Sequence, residues 1–232
     1  MSSRSGLSSW RTLALRKNFP ILPSIDYSRV RRRIIRLGMD LSSLKALRGS
    51  REPVVLDSTG VKAHRAGSWL ERKYGKRRNV KIHVAVNAKT GEVIDMGVSR
   101  DDVRDSEMAE GMVDRVVNVV EVSRVIGDGA YDSIKLYRHL EAMGIEPIIR
   151  PRKNARTDRG PPSRRSAARM IRDYGYDIWR RIVGYGRRWM AETAISIFKS
   201  IFGEEILSKK PRWISVEAVQ KAFIYNLLLN TA

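Results

Sequence analysis

The chain has 232 residues, enough for one domain with a sizeable core and a small appendage. An apolar content of 42% excludes a disordered polar chain, and the absence of cysteine excludes disulfides, thiolate metal sites and a cysteine nucleophile. Forty-five Lys and Arg against 25 Asp and Glu give a formal charge of +20 and a pI near 10.7, the electrostatic footprint of a nucleic-acid binder.

An extremophile surface or a ribosome-associated protein is the other reading of that charge. No apolar run approaches the roughly 18 residues of a membrane span, so no membrane partner is expected. The stretch from Met1 to Trp10 is Ser-rich and has no apolar core of a signal peptide. The expected location is the cytoplasm, in association with the nucleoid.

Residues 1–50 form a basic helical N-terminal segment. Asp26 suits the cap of a helix over 27–37 that carries Arg29, Arg31, Arg32, Arg33 and Arg36. A second short helix is expected over 41–47, with Gly49 as its stop. A DNA-contacting arm and a solvated basic face on a packing helix fit this segment equally. The remainder, 51–232, reads as one α/β domain.

Pro53 to Ser58 is a short apolar run that delivers Asp57 and suits a buried strand. Residues 80–86 alternate. Val80, Ile82, Val84 and Val86 face one way, and Lys81, His83 and Ala85 the other, as in a half-buried strand. Turn residues from Asn87 to Gly91 lead into a return strand over 93–98. A helix over 105–120 follows, then a strand over 124–127 that delivers Asp128. A helix over 133–143 stops at Gly144, and a short strand spans 146–149. Over 150–169 eight Arg or Lys meet only Asp158, and Gly160, Pro161 and Pro162 read as helix breakers, so a basic loop is expected. Helices resume over 187–202 and 216–229.

An acid at the end of an apolar strand stands out in so basic a chain, because a lone buried carboxylate is costly. Asp57 and Asp128 both qualify. Each alone reads as readily as a turn cap or the partner of an Arg. Asp132 reads as the cap of the helix near Ser133. On a helix at 100° per residue, Arg188 lies about 40° and Lys199 about 20° from Glu192, with Ala191, Ile195, Phe198 and Phe202 marking the packed side. Tyr185 joins that stripe if the helix reaches it. The plain reading is an Arg188–Glu192 ion pair of about 0.3–0.5 kcal/mol. The functional one is a metal ligand beside phosphate-binding cations. His83 and Trp189 read as a strand-face histidine and a packing aromatic.

Tyr185, Arg188, Glu192 and Lys199 resemble the Y-(2)-R-(3)-E-(6)-K signature of a large group of bacterial and archaeal insertion-sequence transposases. Val54–Thr59 is similar to the segment holding that group's first Asp, and Ile126–Asp132 to the one holding its second. Lys81–Val84, followed by Thr90-Gly91, is similar to its second strand and turn. The likeness covers roughly residues 26–230.

The resemblance implies a ribonuclease-H-like fold, a mixed five-stranded sheet flanked by helices. It also implies a catalytic triad of Asp57, Asp128 and Glu192 holding two Mg²⁺ ions, with Mn²⁺ as a substitute. Arg188 and Lys199 would contact phosphates, with Tyr185 supporting the same site as a DNA-binding residue. The implied partner is double-stranded DNA, both element ends and target, bound by a homodimer.

Two departures stand out. Only 64 positions separate Asp128 from Glu192, where relatives often carry a long insertion, and 56 residues precede Asp57, where relatives carry a longer helical region. A minimal or truncated member is therefore expected. Two other functions remain open: a basic DNA-binding remnant without catalysis, and a related nuclease that cuts without joining.

Overall fold

The computed structural model describes residues 41, 51–63, 79–208 and 211–231. These belong to the second of two compact units, Asp40–Ala232. The helices expected over 27–37 and 41–47, and the basic 1–50 segment as a whole, lie outside the described residues, except Leu41.

Strand β1 (Glu52–Ala63) is the centre of the sheet. Strands β2 (Asn79–Asn87) and β3 (Val93–Arg100) form an antiparallel hairpin beside it. The turn between them is fixed by Asn87, whose side-chain oxygen accepts the N–H groups of Lys89 and Thr90, and by Gly91 at φ 79°. Helix α1 (Asp105–Val117) leads to strand β4 (Val122–Gly127), which returns parallel to β1. Helix α2 (Ile134–Ala142) and strand β5 (Glu146–Ile149) add a second parallel pairing.

Helices α3 (Pro162–Tyr174), α4 (Tyr176–Ile182) and α5 (Trp189–Phe202) follow. Strand β6 (Glu205–Ile206) pairs with the far end of β1, and helix α6 (Pro211–Leu229) ends the described chain. The main order is β3-β2-β1-β4-β5. This is the mixed five-stranded α/β sheet flanked by helices that the sequence resemblance implies, extended by the two-residue β6.

Both faces of the sheet are covered. Val55, Ile82, Val84, Val86, Ile126 and Ile148 pack with residues of α4, α5 and α6. Val54, Leu56, Ala85, Val125 and Ile149 pack with α1 and α2. The expectation of a half-buried β2 therefore fails. His83 and Ala85, on the face expected to be wet, are fully buried because α1 covers that side. On the edge strand β3, the Asn226 amide of α6 accepts from the Val93 N–H and donates to the Val93 carbonyl, at 2.9 and 2.7 Å. A side chain thus fills hydrogen bonds that a further strand would otherwise take.

The expected basic loop is shorter than 150–169. Helix α3 begins at Pro162, because a proline in the first helical turn lacks only an N–H that would go unpaired there. It ends before Gly175 at φ 88°. Neither α3 nor α4 was legible as helix. Among the described residues, no helix is long and apolar enough to cross a membrane.

Candidate active site

Strands β1 and β4 run parallel with Val55 opposite Ile126. Asp57 and Asp128 each lie two residues beyond that pair, so both carboxylates reach the same edge of the sheet. The Asp57 carboxylate accepts the Ser58 N–H at 2.9 Å. Asp128 starts a 3-10 turn, Gly129–Tyr131, and accepts the Ala130 N–H at 2.8 Å. The cap expected as the plain reading of Asp128 is therefore real, and it holds the side chain at the edge. Gly127, just before it, leaves room for a close neighbour. A Cβ there would meet the Tyr131 ring at 3.2 Å.

Glu192 comes from the first turn of α5, which packs through Ala191, Ala194 and Phe198. Arg188 closes the 3-10 turn Tyr185–Arg188 that precedes α5. Its guanidinium is the group that all three acids share. It lies 3.8 Å from an oxygen of Asp57, 3.8 Å from an oxygen of Asp128, and donates to Glu192.

Exposure grades across the cluster, from 14% for the Asp57 side chain to 56% for Glu192. Burial raises the Asp57 carboxyl above its ordinary value. The Ser58 N–H and Arg188 oppose that rise, and the other two acids add to it. Burial works against the Arg188 charge, but the surrounding acids outweigh it and raise its pKa.

The structure thus brings Asp57, Asp128, Glu192 and Arg188 together. It treats the other expected site residues differently. Because α5 begins only at Trp189, the helical stripe does not extend to Tyr185. That side chain is buried in an aromatic cluster, 5.0 Å from Trp179 and 6.2 Å from Tyr176 between ring centroids. Burial pushes its hydroxyl up to about 12. Lys199 lies two turns along α5 from Glu192 and pairs with Glu204 at 3.4 Å. Trp189, expected to pack, is 55% exposed, since it lies off the α5 face that meets the sheet.

Two groupings were not foreseen. Asp132 does not cap α2. Its side chain is fully buried, bonds twice to Arg164 at 2.6 and 2.9 Å, and accepts the Arg152 N–H. The signal was a second acid in the Asp128 segment, and its partner sits 32 residues away. The other grouping is His83, Asp105 and Lys81. His83 donates to or accepts from Ser99 at 2.7 Å, and its other ring nitrogen faces Asp105 at 3.5 Å. Lys81 lies 3.3 Å from the same carboxylate. Burial lowers the His83 pKa.

The three acids offer hard oxygen donors and an excess of negative charge, the chemistry that suits Mg²⁺. In this structure a guanidinium answers that charge. Among the described residues, no three acidic or histidine side chains are drawn around one metal-sized point.

The family model described as Transposase DDE domain matches residues 48–227. Similar solved structures include the catalytic core domain of BIV integrase, at 14% identity over 75% of this chain and 99% of that one, with a TM-score of 0.32. The Mos1 transposase catalytic domain, solved with Raltegravir and Mg, is 11% identical over 90% and 94% of the two chains, with a TM-score of 0.31. A Mos1 transposase paired-end complex with the left transposon end is 12% identical over 96% and 70%, with a TM-score of 0.30.

Proposed function

Since the chain belongs to the transposase DDE-domain family, we propose that it is a DNA transposase acting at insertion-sequence ends and on target DNA. The observation that carries this reading is the convergence of Asp57, Asp128 and Glu192 on one guanidinium at a sheet edge. Three acids from separate elements, gathered where the edge opens, suit phosphodiester chemistry better than they suit stability.

Asp57, Asp128 and Glu192 would hold two Mg²⁺ ions, or Mn²⁺ in their place. When bound, such a pair neutralises the reacting phosphate and makes a water or a 3′-hydroxyl nucleophilic. In the first step water attacks the phosphorus at the element end. The bond to the 3′-oxygen breaks, and that oxygen leaves as a hydroxyl. In the second step this hydroxyl attacks a target phosphate and displaces the target's own 3′-oxygen. Arg188, released from the acids, is free to pair with a backbone phosphate, and Lys199 of α5, released from Glu204, supplies a second cation. Tyr185, locked among Trp179 and Tyr176, braces the turn that presents Arg188. The working assembly is a homodimer on two DNA ends.

A nuclease that cuts without joining shares the first step, so joining is the test. A duplex ending in a pre-cut element 3′-hydroxyl is incubated with a plasmid target and Mg²⁺. The transposase reading expects a joined product, lost in Asp128→Asn although that variant still binds duplex. Hydrolysis with no joined product would assign the chain to the nucleases. Binding with neither reaction would leave a DNA-binding remnant.

A further inference from the structure

About half of the chain's net charge lies between the second and third acids. Residues 150–188 hold thirteen Arg or Lys and only three Asp. The fold puts the start of this stretch beside the acids. Strands β1, β4 and β5 are parallel, so their C-terminal ends open at one edge. Arg150 leaves β5 there, and its N–H donates to the Gly127 carbonyl at 3.1 Å, next to Asp128.

The stretch is also fastened. Asp132 follows the turn that carries Asp128. Its buried carboxylate clamps Arg164 of α3 and the N–H of Arg152, while Arg152 donates to the Gly129 carbonyl at 3.2 Å. Ser163, at the start of α3, donates to Glu141 of α2. Arg169 and Arg172 donate to Thr157 and so hold the preceding loop against the helix. A merely solvated basic face would not need a buried ion pair tying it to the turn that carries a candidate catalytic acid.

Helix α3 itself is about 20 Å long, the rise of about six base steps of duplex. Arg165 and Arg169 share one of its faces with Ser166, Met170, Asp173 and Tyr174 around a shallow depression.

We propose that α3 and the loop leading into it form a docking surface for the phosphate backbone of duplex DNA, held in fixed register with Asp128 by the Asp132–Arg164 pair. Helix α3 carries four Arg against the single Asp173, and that excess of positive charge argues for a polyanion. Its position at the acid edge argues for the duplex on which the acids act. The inference rests on the transposase reading but is separable from it, because docking needs neither metal nor chemistry.

The test uses the whole chain in metal-free buffer, with a labelled duplex of about 30 base pairs titrated at several salt concentrations. Arg165→Gln with Lys153→Gln, an exposed residue of the loop, should weaken binding about 3–10-fold and flatten the dependence of log K on log salt by about one to two. Ser166→Cys introduces the chain's single cysteine. Carrying a photo-crosslinker, it should join to the duplex without metal. Unchanged affinity and slope in the double variant, or no crosslink from a Ser166→Cys protein that binds normally, overturns the proposal. So does displacement of the duplex from the crosslinked position by single-stranded RNA or anionic vesicles. Mg²⁺-dependent nicking that persists beside such a failure keeps the transposase reading. A crosslink without nicking in any metal supports the docking surface and removes that reading instead.

Discussion

Asp57, Asp128 and Glu192 approach a single guanidinium closely enough to repel one another without it. The other two acids raise the Asp57 pKa, the sign of that repulsion. Arg188 offsets that repulsion in the metal-free protein. Arg188→Met should therefore lower the thermal midpoint of the metal-free protein, by the equivalent of about 2–4 kcal/mol. Mg²⁺ should restore part of the loss and stabilise the variant more than the wild type, which must first release its guanidinium. Thermal denaturation with and without Mg²⁺ measures both. Equal metal responses in the two proteins would contradict this role.

Asp57 carries the opposite sign. Its folded pKa is raised, chiefly by burial, so the folded state holds the proton more tightly than the unfolded state. Stability from this group is fully present below its unfolded value near 3.8 and is lost as pH rises through the folded value. Asp57→Asn should then stabilise the metal-free fold at neutral pH. That gain should vanish as pH falls below about 4, where the wild-type carboxyl is itself neutral. Denaturant midpoints of the two proteins across pH 3–7 check it, and a gain that grows toward low pH would contradict it. The i,i+4 spacing of Arg188 and Glu192 was legible in the sequence. That the same guanidinium reaches Asp57 and Asp128 was not, because it depends on the register of β1 against β4. Nor could helical periodicity show that Tyr185 sits in a 3-10 turn.

At the level of elements, the five main strands were legible from apolar runs ended by a turn residue or a carboxylate, although β1 runs past Ser58 to Ala63 and the two-residue β6 was not expected. Helices α3 and α4 were not. Gly160, Pro161 and Pro162 read as breakers, yet the last of them opens a helix. The charge of this segment also masked its periodicity, since only Ala168 of α3 and Trp179 of α4 are fully buried. The Asp132–Arg164 pair, joining residues 32 apart in the chain, fastens α3 beside the Ser163–Glu141 bonds and the packing of Ala167, Met170 and Ile171. Arg164→Met would leave a buried carboxylate with the Arg152 N–H as its remaining partner. The expected cost is about 3–5 kcal/mol. Amide exchange should quicken across 150–174 and in the Asp128 turn, and much less in the β2–β3 hairpin. Uniform quickening over the whole sheet would mean that the pair supports global stability rather than the position of α3.

At the scale of the described domain, the sheet is a buried platform with the candidate site at one edge. Helices cover both faces, Asn226 occupies part of the β3 edge, and the acids and the basic segment share the end where β1, β4 and β5 open. The charge of +20 was legible at once, but its concentration beside the acids required the fold. Three acids, from β1, the start of the turn after β4, and α5, are expected to act as one centre. The most direct measurement is nicking of a labelled duplex bearing the element's ends, with Mg²⁺ or Mn²⁺, by the wild type and by Asp57→Asn, Asp128→Asn and Glu192→Gln. The expected result is metal-dependent nicking at the ends by the wild type and a loss of at least 100-fold, as an order of magnitude, in each variant while duplex affinity is kept. Nicking that survives any one of the three substitutions would contradict the assignment of that acid, and nicking indifferent to all three would contradict the account as a whole.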